Sequence, residues 1–324
     1  MPKQKNQHFV PQFYLRNFSK DENTIGCCYV DAKKQKFNLT EEAPIKSQAS
    51  KDYYYSKDTR LEDEFAKIEG EANLLIQKIL STEQIRFTPA EIDFLKQYVF
   101  FQHIRTPFHA NEYEAMVSQM YHHIVPEDKD VEIKIKDKTL FPLRTFLPRI
   151  AEIVQPFELA ILDNKTSLPF ITSPEPAIFF NPYQVKRNQH VFGTEMHGGM
   201  FYMPLSAKKG VLLYDPLAYR IKGKHLTACT QSDVTYFNML ILDFVVMTKV
   251  NLFYFDNKIT DFQEMISLML EYAQAGLDLS FVKEKFYLFG IPKRRSCITD
   301  DMYMRNIHMS IEEFRESIRV NKKQ

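Results

Sequence analysis

Apolar side chains recur at alternating steps of four and three residues between positions 61 and 79, which is the spacing of one helical face. The members of this face are Leu61, Phe65, Ile68, Ala72, Leu75 and Ile79. Charged residues of the same stretch, such as Glu62 and Lys67, lie largely off that face. The pattern therefore predicts an amphipathic helix with one side in a core.

A second helix has a well-marked predicted start and end. Thr88 suits the N-cap, Pro89 suits the first helical position, and Glu91 stands where a capping-box carboxylate belongs. The apolar spacing continues until Pro107, which disfavours helical geometry at the residue before it. A third helix is expected over residues 108–123.

Short apolar runs bounded by turn residues follow the helices, and such runs predict strands. They are residues 157–162, 168–172, 176–180, 200–204 and 211–214. Residues 234–250 fit a buried helix with a strand-like end, and their period alone leaves helix and strand open. Residues 125–138 are charged and lack a period, which fits an inserted hairpin or a mobile loop.

Capping signals return near the C-terminus. Asp261 with Glu264, and Ser310 with Glu313, each match a capping box, so two further helices are predicted. Helices and strands are segregated along the chain, which favours an α+β fold over a doubly wound sheet. We predict a helical N-terminal third packed against a central, mainly antiparallel sheet, with C-terminal helices.

Length and composition are sufficient for a large core. The chain has 324 residues, of which 44% are hydrophobic and 14% aromatic. We expect a single globular domain over residues 1–324. Its predicted sub-regions are an N-terminal arm at 1–20, a helical region at 56–124, a strand-rich region at 157–260 and a C-terminal helical region at 261–324.

The 42 Lys and Arg residues nearly cancel the 41 Asp and Glu residues. Global charge therefore gives no drive towards nucleic acid or an anionic membrane, and such contacts need a local patch. Adjacent Cys27 and Cys28 make a poor start for a metal site, and we predict reduced thiols and no metal site. The sequence leaves the cofactor unknown. The polar N-terminus and the short apolar runs predict a cytoplasmic protein without membrane contact.

Residues 7–19 combine aromatic, aliphatic and hydrogen-bonding side chains at a terminus, where most domains carry little information. This segment is predicted to fold into the body of the protein. His8 is a candidate catalytic acid or base, because its charge changes near neutral pH, and Gln12 is a candidate substrate-binding residue. The structural alternative is that His8 anchors the arm through a hydrogen bond.

Three polar residues near the end of the second predicted helix form another candidate group. Tyr98, Gln102 and Arg105 stand at steps of four and three, so they share one helical face. The planar donor fork of Arg105 suits phosphate or carboxylate, and the three residues are predicted to bind substrate. Alternatively, Arg105 pairs with an acid such as Glu112 and pins two helices together.

Two further candidates lie in the strand-rich region. Ser173 and Glu175 follow a predicted strand in a proline-stiffened turn, where a hydroxyl and a carboxylate can hold a ligand or activate water. A plain turn with local hydrogen bonds is the alternative. Asn238 interrupts an apolar run, so it needs a partner if buried, and it can cap, bridge segments or face a pocket.

Several sequence signatures of enzymes are missing. The chain contains no GxGxxG, no GxxxxGK[ST], no HExxH and no GxSxG. Their absence weighs against a zinc enzyme, a P-loop nucleotide-triphosphate hydrolase and an α/β-hydrolase.

Three spaced motifs carry a family resemblance. Residues 8–19, His-Phe-Val-Pro-Gln-Phe-Tyr-Leu-Arg-Asn-Phe-Ser, resemble the start of a bacterial family called domain of unknown function 4238. Residues 102–107 resemble its second hallmark, a helix ending in Arg-Thr-Pro. Residues 170–176 resemble a third block, in which Pro174 replaces the usual aspartate and Glu175 supplies a carboxylate one place later. Looser matches follow at residues 202–206 and Asn238.

The resemblance implies little chemistry, because the family has no established reaction. Some members are candidate single-gene anti-phage defence proteins, so the resemblance makes a defence role plausible. It leaves open whether the protein cleaves, senses or only binds.

Three functional hypotheses follow, and the sequence does not decide whether the protein is an enzyme. In the first, which we favour, a hydrolase acts on a nucleotide or a phosphodiester such as nucleic acid. Arg105 holds the anionic group, His8 serves as acid or base, and Glu175 polarises water. In the second, a non-catalytic sensor uses the same residues to lock the arm, and binds a phage or host protein. A self-associating structural protein is a third reading.

Overall fold

The computed structural model describes residues 5–31, 36–55, 60–125, 131–185, 197–223, 226–258, 262–274, 279–284 and 318–322. The fold is α+β. Two compact units divide the chain, one from residues 1–103 and 151–285 and the other from residues 104–150 and 286–324. The expectation of a single globular domain stays a prediction.

The strands are β1 (Asn6–His8), β2 (Thr24–Asp31), β3 (Lys36–Pro44), β4 (Ser50–Asp52), β5 (Val131–Ile135), β6 (Glu158–Asn164), β7 (Ile178–Phe180), β8 (Met200–Pro204), β9 (Lys209–Tyr214), β10 (Tyr219–Ile221), β11 (Leu226–Cys229), β12 (Leu252–Phe255), β13 (Val282–Glu284) and β14 (Ile318–Lys322). The helices are α1 (Gln12–Arg16), α2 (Arg60–Ser81), α3 (Pro89–Ile104), α4 (Pro107–Ile124), α5 (Phe141–Phe146), α6 (Ile150–Val154), α7 (Pro182–Val185), α8 (Gln231–Met247) and α9 (Phe262–Gln274).

A five-stranded mixed sheet lies in the first unit, in the order β11-β6-β9-β8-β7. The β11–β6 pairing is parallel and the other three pairings are antiparallel. Strands β8 and β9 are buried along their whole length, as expected for strands covered on both faces. Asp163 and Lys209 face each other across β6 and β9, and Lys209 Nζ lies 2.8 Å from Asp163 Oδ1.

A three-stranded antiparallel sheet, also in the first unit, joins the beginning of the chain to its later part in the order β12-β2-β3. Gly26 in β2 pairs with Phe255 in β12. A Cβ atom at Gly26 would collide with the Phe255 ring, so this close approach requires glycine. The neighbouring β1 pairs antiparallel with β4 and places His8 opposite Ser50.

The predicted helices of the first unit form as their patterns indicate. Helix α2 buries the apolar positions Phe65, Ala72, Leu75 and Ile79. Helix α3 begins with the predicted capping box: Glu91 Oε2 accepts from Thr88 N at 2.7 Å, and Thr88 Oγ1 accepts from Glu91 N at 3.2 Å.

The sequence leaves helix and strand open for residues 234–250, and the structure has a helix, α8, over most of them. It has a capping box between Thr230 and Asp233. Its buried positions include Val234, Phe237, Asn238, Ile241 and Val245, which recur at helical spacing along one stripe.

The second unit is built on α4 and the β5–β14 pair. Helix α4 begins at Pro107, immediately after the predicted break, with Thr106 in an extended conformation. Strand β5 alternates buried and exposed residues and pairs antiparallel with β14. Its inward side chains join a small core whose members are Val117, Met120, Val131, Ile133, Ile135 and Phe141.

Several expectations are corrected. The N-terminal third is not purely helical, because β2, β3 and β4 precede α2. Residues 168–172 form no strand. Only Thr172 makes an isolated bridge, to Tyr254, because side chains replace ladder partners there. Of the hairpin and loop readings of residues 125–138, the strand content of the hairpin is seen at residues 131–135, but the partner is the distant β14 rather than a neighbouring strand.

The C-terminal region is also not purely helical. It contains α9 but also β13 and β14. Residues 318–322, which lie in the predicted C-terminal helical region, pair as a strand with β5. The capping residues Asp261, Ser310 and Glu313 lie outside the described residues.

Candidate functional site

The N-terminal arm is fastened inside the first unit, as the sequence predicts. Val10, Leu15 and Phe18 have no exposed surface. The Tyr14 hydroxyl donates to the Pro204 carbonyl and lies 2.8 Å from Thr172 Oγ1. Because the Tyr14 proton goes to Pro204, the Thr172 hydroxyl donates to the Tyr14 oxygen. Burial raises the pKa of Tyr14, so this hydroxyl stays neutral.

Gln102 bonds helix α3 to the arm. Its Nε2 donates to the Phe9 carbonyl at 2.7 Å, and the Gln102 side chain is fully buried. The Gln102 Oε1 atom is buried and accepts no hydrogen bond from the described residues. Tyr98, one turn earlier, is 1% exposed and stacks on Phe94.

Tyr98 and Gln102, which the sequence places on one face of α3, are therefore both buried, and their binding of a substrate stays a prediction. The second half of this helix is buried on all sides, so its polar groups meet protein rather than solvent. The buried positions there are Leu95, Lys96, Tyr98, Val99, Phe100, Phe101, Gln102, His103 and Ile104.

The side chain of Ser173 closes the turn at residues 172–175. Ser173 Oγ donates to the Glu175 carbonyl at 2.8 Å and accepts from Glu175 N at 3.1 Å. Both residues are at most 1% exposed. This arrangement matches the local side-chain to backbone alternative, because the hydroxyl is committed to the turn.

Asn238 bridges chain segments, which was one of its predicted roles. Its Oδ1 accepts from Ile171 N at 3.0 Å and its Nδ2 donates to the Pro169 carbonyl at 2.8 Å. The side chain is fully buried. Asn238 thus supplies the partners that residues 168–172 would otherwise find in a sheet.

We call Tyr14, Gln102, Thr172, Ser173 and Asn238 the interior polar network. All five are fully buried and lie in the first unit. Each makes a hydrogen bond to backbone or to another member of the network. Their described contacts hold the arm, α3, the 169–175 segment and α8 in place.

The remaining predicted site residues lie elsewhere. His8 is half-buried in β1, and the half-buried Gln12 accepts from Arg16 Nη2 at 3.4 Å. Arg105 is 1% exposed and belongs to the second unit. The convergence of His8, Arg105 and Glu175 on one pocket stays a prediction.

His103 is a buried neutral histidine that sequence reasoning did not assign. Its Nδ1 lies 2.8 Å from the Ala177 carbonyl, which can only accept, so Nδ1 carries the proton. Its ring meets Phe201 edge-on at 5.2 Å. Burial lowers the pKa of His103 to about 4, and the hydrogen bond to Ala177 offsets only part of that shift.

His197 and Asp215 form a histidine–aspartate pair in the first unit. His197 Nδ1 lies 3.4 Å from Asp215 Oδ2, and the same oxygen accepts from Gly198 N at 2.9 Å. Asn181 Nδ2 donates to the His197 carbonyl. No local sequence motif marks this pair, because His197 and Asp215 lie 18 residues apart along the chain.

In the described part of the chain, no group of three or more His, Cys, Asp or Glu side chains is arranged to hold a metal ion. Among the same residues, none of the helices combines the length and the apolar character needed to cross a membrane.

The comparisons with known proteins give a family and nothing more specific. Neither a curated protein nor a solved structure matches the chain. One family model matches residues 6–246, a span that holds β1 and the whole interior polar network and well over half of the chain. The chain therefore belongs to the family described as protein of unknown function (DUF4238).

Proposed function

We propose that this DUF4238 protein is a non-catalytic sensor or binding module whose motif residues fasten the N-terminal arm. One observation carries the proposal: the interior polar network directs its side chains at the backbone of other segments. Gln102 bonds the Phe9 carbonyl, and Asn238 bonds both Ile171 and Pro169. Buried polar groups satisfied in this way stabilise a fold but have no free surface for a substrate.

The 172–175 turn supports the same proposal. A serine that activates or binds substrate must expose its hydroxyl, whereas Ser173 Oγ is committed to both backbone groups of Glu175. A defence role, which the family resemblance makes plausible, would then depend on recognition of a phage protein, nucleotide or nucleic acid. The recognition surface would lie outside the interior polar network.

The proposal is tested by removing the proton chemistry of His8 while keeping a hydrogen-bonding side chain. Cells expressing the full chain, or its His8→Gln variant, are challenged with a panel of phages and the efficiency of plating is measured. Arg16→Gln is the matched control, because Arg16 is an exposed residue on the same arm. We expect both variants to protect as the natural protein does.

A parallel experiment finds the partner without assuming one. The purified protein is denatured, and the released small molecules and nucleic acid are identified by mass spectrometry. A bound molecule recovered unaltered supports a sensor. Turnover of that molecule by the natural protein, abolished in His8→Gln at an unchanged melting temperature, would refute a non-catalytic role.

A hydrolase acting on a phosphate-containing substrate is the second candidate. Its specific support is Gln102 Oε1, a buried acceptor that takes no hydrogen bond from the described residues, beside the arm that carries His8. Such an atom can receive a ligand hydroxyl or a water. In this candidate His8 is the acid or base, Arg105 holds the anion and Glu175 polarises water.

A further inference from the structure

A second polar region of the first unit is open rather than closed. It is a groove of about 1310 Å³ between α3, the start of β6 and the chain from β9 to β10. We call it the basic groove and define it by Lys96, Glu158, Tyr214, Arg220 and Lys222, which all line it. These residues take no part in the interior polar network.

Lys96 is the most unusual member of this groove. The residue is only 7% exposed, and its Nζ donates one hydrogen bond, of 3.2 Å, to the Gln155 carbonyl. An ammonium group has three donors. Within the described part of the chain Lys96 forms no ion pair, although buried lysines are usually paired.

The nearby carboxylates do not compensate for the burial of the Lys96 ammonium group. Asp93 and Glu158 favour its charged form from beyond ion-pair distance, yet burial outweighs them and lowers the pKa of Lys96. An anion bound in the groove would favour the charged form of Lys96 and so oppose the lowering of its pKa by burial. The unused donors of this amine are therefore available to a ligand.

Two exposed cations stand on the rim. Arg220 is the outward residue of β10, between the buried Tyr219 and Ile221. Lys222 follows the strand and donates a long hydrogen bond, of 3.4 Å, to the Ser280 carbonyl. Neither side chain forms an ion pair with a described carboxylate. With Lys96 they place three cations around one groove, which suits a multiply charged anion.

The lone carboxylate of the groove has a different use. Glu158 Oε2 accepts from the Tyr214 hydroxyl at 2.6 Å, and burial together with this bond raises the pKa of Tyr214. A carboxylate repels phosphate, but its remaining lone pairs accept well from hydroxyl groups. A ligand that carries both phosphate and hydroxyls satisfies the cations and Glu158 together.

We propose that the basic groove binds a nucleotide or sugar phosphate, with the phosphate at Lys96, Arg220 and Lys222 and a ligand hydroxyl at Glu158. The volume of the groove exceeds that of common small-ligand pockets, so a ligand of nucleotide size fits. This site goes beyond the proposed function, because it consists of other residues and holds its ligand whether or not the arm has a catalytic role.

The test measures binding of AMP, ribose 5-phosphate, inorganic pyrophosphate and a short single-stranded oligonucleotide to the purified full chain by calorimetry. We expect AMP or ribose 5-phosphate to bind, and Lys96→Met to weaken that binding by about tenfold or more. The double variant Arg220→Gln/Lys222→Gln should weaken it similarly and flatten its salt dependence. Glu158→Gln should reduce the ratio of the affinity for AMP to the affinity for pyrophosphate.

Matched controls are Lys51→Gln and Arg86→Gln, which remove exposed cations outside the groove lining and should leave affinity within about twofold. Melting temperatures verify folding, and the rim double variant keeps the test decisive if Lys96→Met does not fold. No binding of any probe, or binding unchanged in the rim variant, would overturn the proposal. Binding of the oligonucleotide alone would replace it with a nucleic-acid site. His8→Gln should leave the affinity unchanged, so this result is independent of the arm's role.

Discussion

Two buried lysines of the first unit have nearly the same exposure and opposite surroundings. Lys209 in β9 is 8% exposed and pairs with Asp163 at 2.8 Å, whereas Lys96 in the basic groove is 7% exposed and has one carbonyl contact. Burial alone therefore does not define a role for a polar group. A satisfied group holds the fold, and a group with unused donors is available to bind.

The largest expected effect comes from breaking the satisfied lysine pair. Lys209→Met leaves the Asp163 carboxylate buried, with only the more distant Lys165 at 3.6 Å. Removing one partner of a buried ion pair costs about 3–5 kcal/mol. Urea unfolding of the purified protein should show this loss. An effect below about 1 kcal/mol would mean that water or Lys165 already neutralises Asp163.

The next effect tests the interior polar network at Asn238. Asn238→Ala leaves Ile171 N–H and the Pro169 carbonyl without their buried partner, and we expect a loss of about 3 kcal/mol. Asn73→Ala, a partly exposed change on α2, is the control and should stay within about 0.5 kcal/mol. Equal losses for the two variants in urea unfolding would contradict the bridging role.

The third prediction concerns His103, whose pKa of about 4 lies below its ordinary value. Between that ordinary value, about 6.5, and pH 4, the unfolded chain binds a proton that the folded chain refuses. The free energy of unfolding should therefore show no loss from His103 above pH 6.5. Below that pH it should fall by up to about 1.4 kcal/mol per pH unit on acidification.

The measurement is urea unfolding at several pH values for the natural protein and for His103→Gln. The difference between the two isolates His103 from other titrating groups. If both proteins lose stability in parallel from pH 6.5 to 4, His103 is not buried in its neutral form.

The smallest expected effect on stability is that of Lys96→Met, which is compared with Lys209→Met. Lys96→Met removes a buried charge that has no acidic partner among the described residues and keeps the long side chain. We expect a change within about 1 kcal/mol, in either direction. A loss as large as that of Lys209→Met would show that Lys96 holds the fold, and that the basic groove is a consequence of packing.

The sequence predicts the elements whose signals are local. The capping box at Thr88 and Glu91, the break at Pro107 and the buried face of α2 all require only residues within one helix. The prediction that Asn238 needs a partner is also confirmed, because a polar residue in an apolar run is costly when buried.

The features that the sequence misses depend on distant partners. Strand β2 contains Gly26, which weakens a strand unless another chain segment approaches closely, and that segment is β12, far along the chain. Lys96 is a single lysine within a predicted helix, and no motif in the sequence marks it as part of a ligand site. The residues of β6 and β10 that line the same groove are distant from it along the chain.

The pairing of β2 with β12 has a consequence for synthesis on the ribosome. The β2–β3 hairpin emerges early, but its outer neighbour at residues 252–255 is translated much later, after the family match has ended at residue 246. Until then, one side of β2 exposes unpaired amides and carbonyls that can recruit another nascent chain. A protein truncated at residue 246 would keep every motif of the family resemblance and leave this edge of β2 without its partner strand.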